Sequence, residues 1–190
     1  MNRLENWFCG SNFWRYVTRR QLLPWILAGT NLGEHLLEIG AGPGAATEEL
    51  RRRAARVTSL EYDRDLAISL AKHNHGGLGA VLRGDAAALP FPEKTFSAAI
   101  AVLVLHHLRS TEQQDRALAE VYRVLRPGGV FLALEIEDGW LQRVSHSRST
   151  FVPVLASSFI RRLASTGFSS ISLESRRGAF RVRALRSAND

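Results

Sequence analysis

The 190-residue sequence predicts a single doubly wound α/β domain on a mostly parallel sheet. Three observations carry that expectation. Short apolar runs alternate with helical patterns along most of the chain. The first of these runs, beginning at Leu36, breaks into three alternating glycines, Gly40, Gly42 and Gly44, just before a helical pattern. The second run closes on a carboxylate, Glu61, about twenty residues further on.

In chain order, Asn6 to Gly29 is aromatic and basic, with Trp7, Phe8, Phe13, Trp14, Tyr16 and Trp25 beside Arg15, Arg19 and Arg20. Partial helical spacing predicts helices here, a new one starting at Pro24. Residues 1–33 are read as a lid or cap segment and 34–190 as the core. After the glycines, Ala45 to Arg56 is predicted helical. Val57 to Glu61 follows as the second strand, then a helix capped by Asp63 or Asp65 and ended at His75-Gly76-Gly77. Ala80 to Ala86 is a third strand ending in Gly84-Asp85-Ala86. Phe96 to Leu105, apolar on both faces, is the fourth, with His106 and His107 at its end. Ser110 or Thr111 followed by Gln113 or Gln114 is a capping-box pattern for a helix that stops before Pro127-Gly128-Gly129. Val130 to Glu135 is the fifth strand, Val154 to Ser165 a helix ended by Gly167. Two last strands, Ser170–Glu174 and Phe180–Leu185, are joined at Arg176-Arg177-Gly178.

The net charge of +7 comes mainly from arginines that are scattered along the chain, as expected of solvated faces. The single cysteine, Cys9, excludes an internal disulfide and a multi-cysteine zinc site, and no histidine spacing suggests a metal. The first thirty residues predict neither a signal peptide nor a membrane span, so the expected location is cytoplasmic.

The glycine loop reads as a nucleotide-type binding loop, whose backbone admits close approach of a ligand at the positive end of a helix. Glu61 stands where a carboxylate can accept hydrogen bonds from the two ribose hydroxyls of an adenosine ligand. The fingerprint alone also suits a dinucleotide. Glu38 inside the first strand, the Pro43-Gly44 pair, Gly84-Asp85-Ala86 and the Leu125-to-Gly129 turn favour another ligand. With these features the chain resembles the class I S-adenosylmethionine-dependent methyltransferases, in the branch of the ubiquinone/menaquinone-type small-molecule enzymes, most strongly from Leu36 to Glu135.

The resemblance implies a Rossmann-like, seven-stranded, mostly parallel sheet with a reversed C-terminal strand. It implies that Glu38, Gly40, Ala41, Gly42 and Gly44 form the loop beneath the methionine part of S-adenosylmethionine, with Glu38 ordering the loop. By the same resemblance Glu61 takes the ribose, Tyr62 and Ala86 lie beside the adenine, Asp85 takes its amino group, and Val102 lines the cofactor through its backbone. One departure is Phe96-Ser97, where the family usually has Phe-Asp.

Methyl transfer from a sulfonium needs orientation above all, so a general base is optional. His106 and His107 are the candidates for one, and adjacent residues at a strand end point apart, so at most one is expected to face the site. The alternative is that both are structural. No Asn/Asp-Pro-Pro-aromatic motif is present, which argues against DNA adenine and protein glutamine as targets. A small-molecule acceptor is the leading expectation and nucleic acid a lesser one. An RNA or macromolecule methyltransferase and a non-catalytic scaffold remain the alternatives.

Overall fold

The computed structural model describes residues 8–72, 79–137, 139 and 150–188. The strands are β1 (His35–Ile39), β2 (Arg56–Glu61), β3 (Gly79–Arg83), β4 (Phe96–Val102), β5 (Leu125–Ile136), β6 (Phe168–Arg176) and β7 (Ala179–Arg186). They form one seven-stranded sheet in the order β3-β2-β1-β4-β5-β7-β6. β1 pairs in parallel with both β2 and β4, and β2–β3 and β4–β5 are parallel as well. β7 runs antiparallel to both its neighbours, which makes it the reversed strand. The order turns back between β1 and β4, so a crevice opens at the carboxyl ends of those strands.

Both faces of the central strands are buried, as their apolar sequences require. Leu37, Ala99, Ala101, Phe131 and Ala133 point to one side and pack with α5 (Thr111–Val124) and α6 (Ala156–Thr166). Leu36, Ala98, Ile100, Val130 and Leu132 point to the other, against α2 (Leu23–Leu27) and α3 (Thr47–Arg51). The alternation of neighbours between two cores is the period-two signature of a strand. α2 carries Pro24 in its first turn, and its Leu23, Ile26 and Leu27 are buried in the second core. Before it lie α1 (Asn12–Val17), capped by the Ser11 hydroxyl, and a π-helical turn, Thr18–Leu22. α4 (Arg64–Lys72) is capped by Asp63, whose Oδ1 accepts from the amides of Asp65 and Leu66. Its expected end at His75-Gly76-Gly77 lies outside the described residues.

Several boundaries differ from the sequence expectation; β3, for one, ends at Arg83 rather than Ala86, and three differences bear on the site. The helix after the glycines is only Thr47–Arg51, not Ala45 to Arg56. Tight turns close on Glu49 and Leu50, and the Arg56 amide bonds Glu34 O, which puts Arg56 already in β2. β4 ends at Val102 rather than Leu105, because Leu103 takes a left-handed φ of 59°. β5 begins early, at Leu125, which pairs with Phe96. The ladder then shifts register over the Arg126-to-Gly129 turn before Val130 meets Ala98. α5 keeps the capping box: Ser110 Oγ accepts from the Gln113 amide while Gln113 Oε1 accepts from that of Arg109.

Candidate functional site

β1 delivers the glycine loop to the crevice. Gly40 and Ala41 both donate their amides to Leu60 O, at 2.8 and 3.2 Å, which fastens the loop to the end of β2. A Cβ on Gly40 would come within 2.5 Å of Val104 Cγ2, so only glycine lets the β4 exit pack there. Gly42 differs: its φ is 54° and a Cβ on it would meet nothing within 4 Å. Its backbone therefore borders open space.

Glu61, at the end of β2, is 8% exposed. Its Oε2 accepts from the Gly42 amide at 2.7 Å and its Oε1 from the Asp63 amide at 2.8 Å. The carboxylate thus orders the loop it faces. Glu38 works one layer below, accepting from the hydroxyls of Thr47 at 2.8 Å and Ser59 at 2.7 Å through Oε2. Its Oε1 is buried without a hydrogen-bond partner. Burial pushes the Glu38 carboxyl up from its ordinary value, opposed by the Ser59 and Thr47 hydrogen bonds and the charge of Arg51.

The opposite wall is the β4 exit. Glu135, fully buried at the end of β5, accepts from the amides of Val104 and Leu105 at 3.0 and 2.7 Å with Oε1. Its Oε2 meets His106 Nδ1 at 2.6 Å. These bonds take over beyond Leu103, whose own amide still donates to Leu134 O at 2.8 Å. His106 is consequently buried at 2% exposure, whereas His107 lines the cavity, its Nδ1 3.3 Å from Thr150 O. The two occupy a 3₁₀ turn, Leu105–His107, rather than a strand end, and their ring centroids lie 4.2 Å apart.

Between these walls lies a cavity of about 350 Å³. It brings together Gly40, Gly42, Glu61, Tyr62, Asp85, Ala86 and His107 from the sequence-derived set. Glu38, Ala41, Gly44, Val102 and His106 do not line it. Gly44 packs against Leu70, and Val102 against the second core. Asp85 holds its own turn through Oδ1, which accepts from the Ala87 amide at 2.8 Å. Leu103, Val104, Leu108 and Arg109 on the β4 exit, with Asp63 and Leu66 beside β2, also line it and were missed from sequence. The usable signal was position alone, at the carboxyl edge of the sheet. None of the described residues of the N-terminal segment lines this cavity. A wider depression of about 910 Å³ opens at the other sheet edge, between Asn31 and Arg183, and holds no predicted site residue.

A sequence profile of the methyltransferase domain family matches residues 37–133, just over half of the chain. The chain belongs to this family. It is a class I S-adenosylmethionine-dependent methyltransferase domain, and its cofactor is S-adenosylmethionine.

Among curated relatives, the demethylmenaquinone methyltransferase of Thermobifida fusca is 36% identical over 107 residues, 54% of this chain and 44% of that protein. The fatty-acid O-methyltransferase of Mycolicibacterium smegmatis is 42% identical over 103 residues, 53% of this chain and 36% of that protein. The matches thus span less than half the length of these relatives. Among solved structures, the N-methyltransferase NodS of Bradyrhizobium japonicum, in complex with S-adenosyl-L-homocysteine, superposes with a TM-score of 0.74. It is 19% identical, with 95% of this chain and 91% of that one covered, a likeness of fold.

The methyltransferase cavity suits such a cofactor. Its volume falls in the range of small-molecule sites, the open space over Gly42 is a cradle that a side chain would fill, and Glu61, Asp63 and Asp85 line it. No group of His, Cys, Asp and Glu that could hold a metal ion occurs among the described residues, and no helix there is long and apolar enough to cross a membrane.

Proposed function

We propose that this domain transfers a methyl group from S-adenosylmethionine to a small, lipid-like acceptor, with catalysis chiefly by positioning. The observation that supports this reading is the convergence of the Gly42 backbone, Glu61, Asp85 and His107 on one cavity. The names of the relatives, which specify demethylmenaquinone and a fatty acid, support an apolar acceptor.

S-adenosylmethionine, when bound, supplies a methyl group on a positively charged sulfur that leaves as a neutral thioether. The chain's own task is to bind, orient and exclude water. Glu61 retains acceptor capacity beyond its two backbone bonds and is the residue to take ribose hydroxyls. Asp85 and the Ala86 amide are the residues to take the adenine, and Tyr62, 59% exposed, to cover it. Leu66, Leu103 and Leu108 give the cavity apolar walls. Holding an acceptor in line accounts for as much as about 7–11 kcal/mol of barrier lowering in favourable cases. A bond from His107 Nδ1 to Thr150 O requires the proton on Nδ1, which leaves the lone pair of the neutral ring on Nε2. That nitrogen is the one to receive an acceptor's proton, worth about 10²–10⁴-fold where the acceptor must lose one.

The test is incubation with methyl-labelled S-adenosylmethionine and separate panels of hydroxylated or quinol lipids, RNA and protein. Label extracted with the lipid panel is the expected result. Label confined to RNA or protein overturns the acceptor class, and loss of lipid labelling in H107A with unchanged cofactor affinity assigns the base.

A further inference from the structure

We infer that the helical segment Asn12–Leu22 is a docking face for an anionic phospholipid bilayer. α1 buries none of its residues. Phe13 is 65% exposed, Tyr16 60% and Phe8 42%, the largest concentration of exposed rings on the described surface. Phe8 clusters with Phe13 and Trp14, its ring centroid 6.5 Å from the first and 5.2 Å from the second. A helix kept only for the fold would turn its large apolar side chains inward, as α2 does with Leu23, Ile26 and Leu27.

The charge is complementary to such a surface. From residue 8 to residue 33 the chain has three arginines, Arg15, Arg19 and Arg20, all exposed, and no aspartate or glutamate. Helical spacing sets Tyr16 beside Phe13 and Arg20, and Arg15 beside Arg19, so the rings run along a basic flank. Aromatic rings at headgroup depth flanked by guanidinium groups on lipid phosphates is the arrangement of helices that lie in a membrane interface. The face also adjoins α3, the helix that follows the glycine loop: Arg19 Nε lies 3.3 Å from Glu49 Oε2. Rings packed on one another are poorly disposed to stack separate bases, which disfavours nucleic acid as the occupant. The inference rests in part on the lipid-acceptor reading above, because a lipid substrate is collected from a bilayer.

The experiment is co-sedimentation of the whole chain with vesicles of phosphatidylcholine containing a third phosphatidylglycerol, and with vesicles of phosphatidylcholine alone. Binding to the first only, weakened by salt, is the expected result. The F13S/Y16S variant, which alters no buried residue, should lose about ten-fold or more in vesicle affinity. R15Q/R20Q should lose a similar factor, from about five-fold per arginine. Both should titrate with S-adenosylhomocysteine as the parent chain does. No sedimentation, equal sedimentation of F13S/Y16S, or release from vesicles by single-stranded RNA overturns the docking face. The two readings separate cleanly: vesicle binding without methyl label in lipid leaves the docking face standing and overturns the acceptor class.

Discussion

Replacing Glu61 with alanine removes the acceptors of the Gly42 and Asp63 amides together with the carboxylate proposed to take the ribose. S-adenosylhomocysteine affinity, measured by calorimetric titration, should fall by roughly 1.5–3 kcal/mol, about ten- to a hundred-fold. Gly42 gives a second, steric test. A valine there must adopt φ near 54°, at a cost of about 1–2 kcal/mol in stability, and it fills open space rather than clashing. G42V should keep its circular dichroism spectrum and lose the binding heat. Glu38 contributes one pH-dependent increment of stability. Its carboxyl is raised in the folded state, so the folded protein binds that proton more tightly than the unfolded chain. The resulting stability is fully present below the unfolded value of about 4.5 and is lost as pH rises through the folded value. Thermal melts of E38Q, which keeps an acceptor for Thr47 and Ser59, should therefore lack this decline, and the variant should gain on the parent as pH rises from 4 towards neutrality.

At the level of elements, the junction of β4 with β5 is the part most dependent on one side chain. Glu135 carries the amides of Val104 and Leu105 and the ring of His106, all from full burial. E135A strands these donors, those of Leu105 and His106 fully buried, and a loss of about 3–5 kcal/mol in unfolding free energy is the expected outcome by urea titration. This junction also marks where sequence reading stops. β1, the glycine turn and β2 were legible because period-two burial and glycine are local signals, as the alternation of Leu36 and Leu37 between two cores illustrates. The β4 exit was not. Leu103 in a left-handed conformation has no local cause, since leucine disfavours it, and the loop is held by bonds to distant residues, Glu135 and Leu134 on β5, Gln114 on α5 and Val152. The same reach explains the lining residues that were missed, Leu103, Val104 and Leu108, and the early end of β4. The helix after the glycines was over-extended for a similar reason: alanine and arginine favour helix up to Arg56, but β1 claims Arg56 as a sheet partner.

Across the whole molecule, the fold class was readable because the parallel strands are apolar on both sides and a reversed hairpin follows them. The position of the N-terminal segment was not readable in the same way. Its periodicity announced helices, yet α2 joins a core while α1 leaves its rings in water, a division set by tertiary packing alone. A ligand that binds only the folded chain must raise its melting temperature. S-adenosylhomocysteine at a hundred times its Kd should add about 2.7 kcal/mol, or roughly 5–10 °C for a chain of this length. NADH should add nothing, and a shift with NADH alone would place a different cofactor in the cavity.

The grip of Glu61 on the Gly42 amide has a consequence in time rather than in energy. An amide already bonded to a nearly buried carboxylate exchanges its hydrogen with solvent only when the loop opens. In deuterium exchange of the ligand-free chain, Gly42 and Asp63 should be slow, unlike the amides of an ordinary surface turn. Ligand should slow them only modestly further. The loop would then meet its ligand as a finished surface, with little ordering left to occur during the encounter.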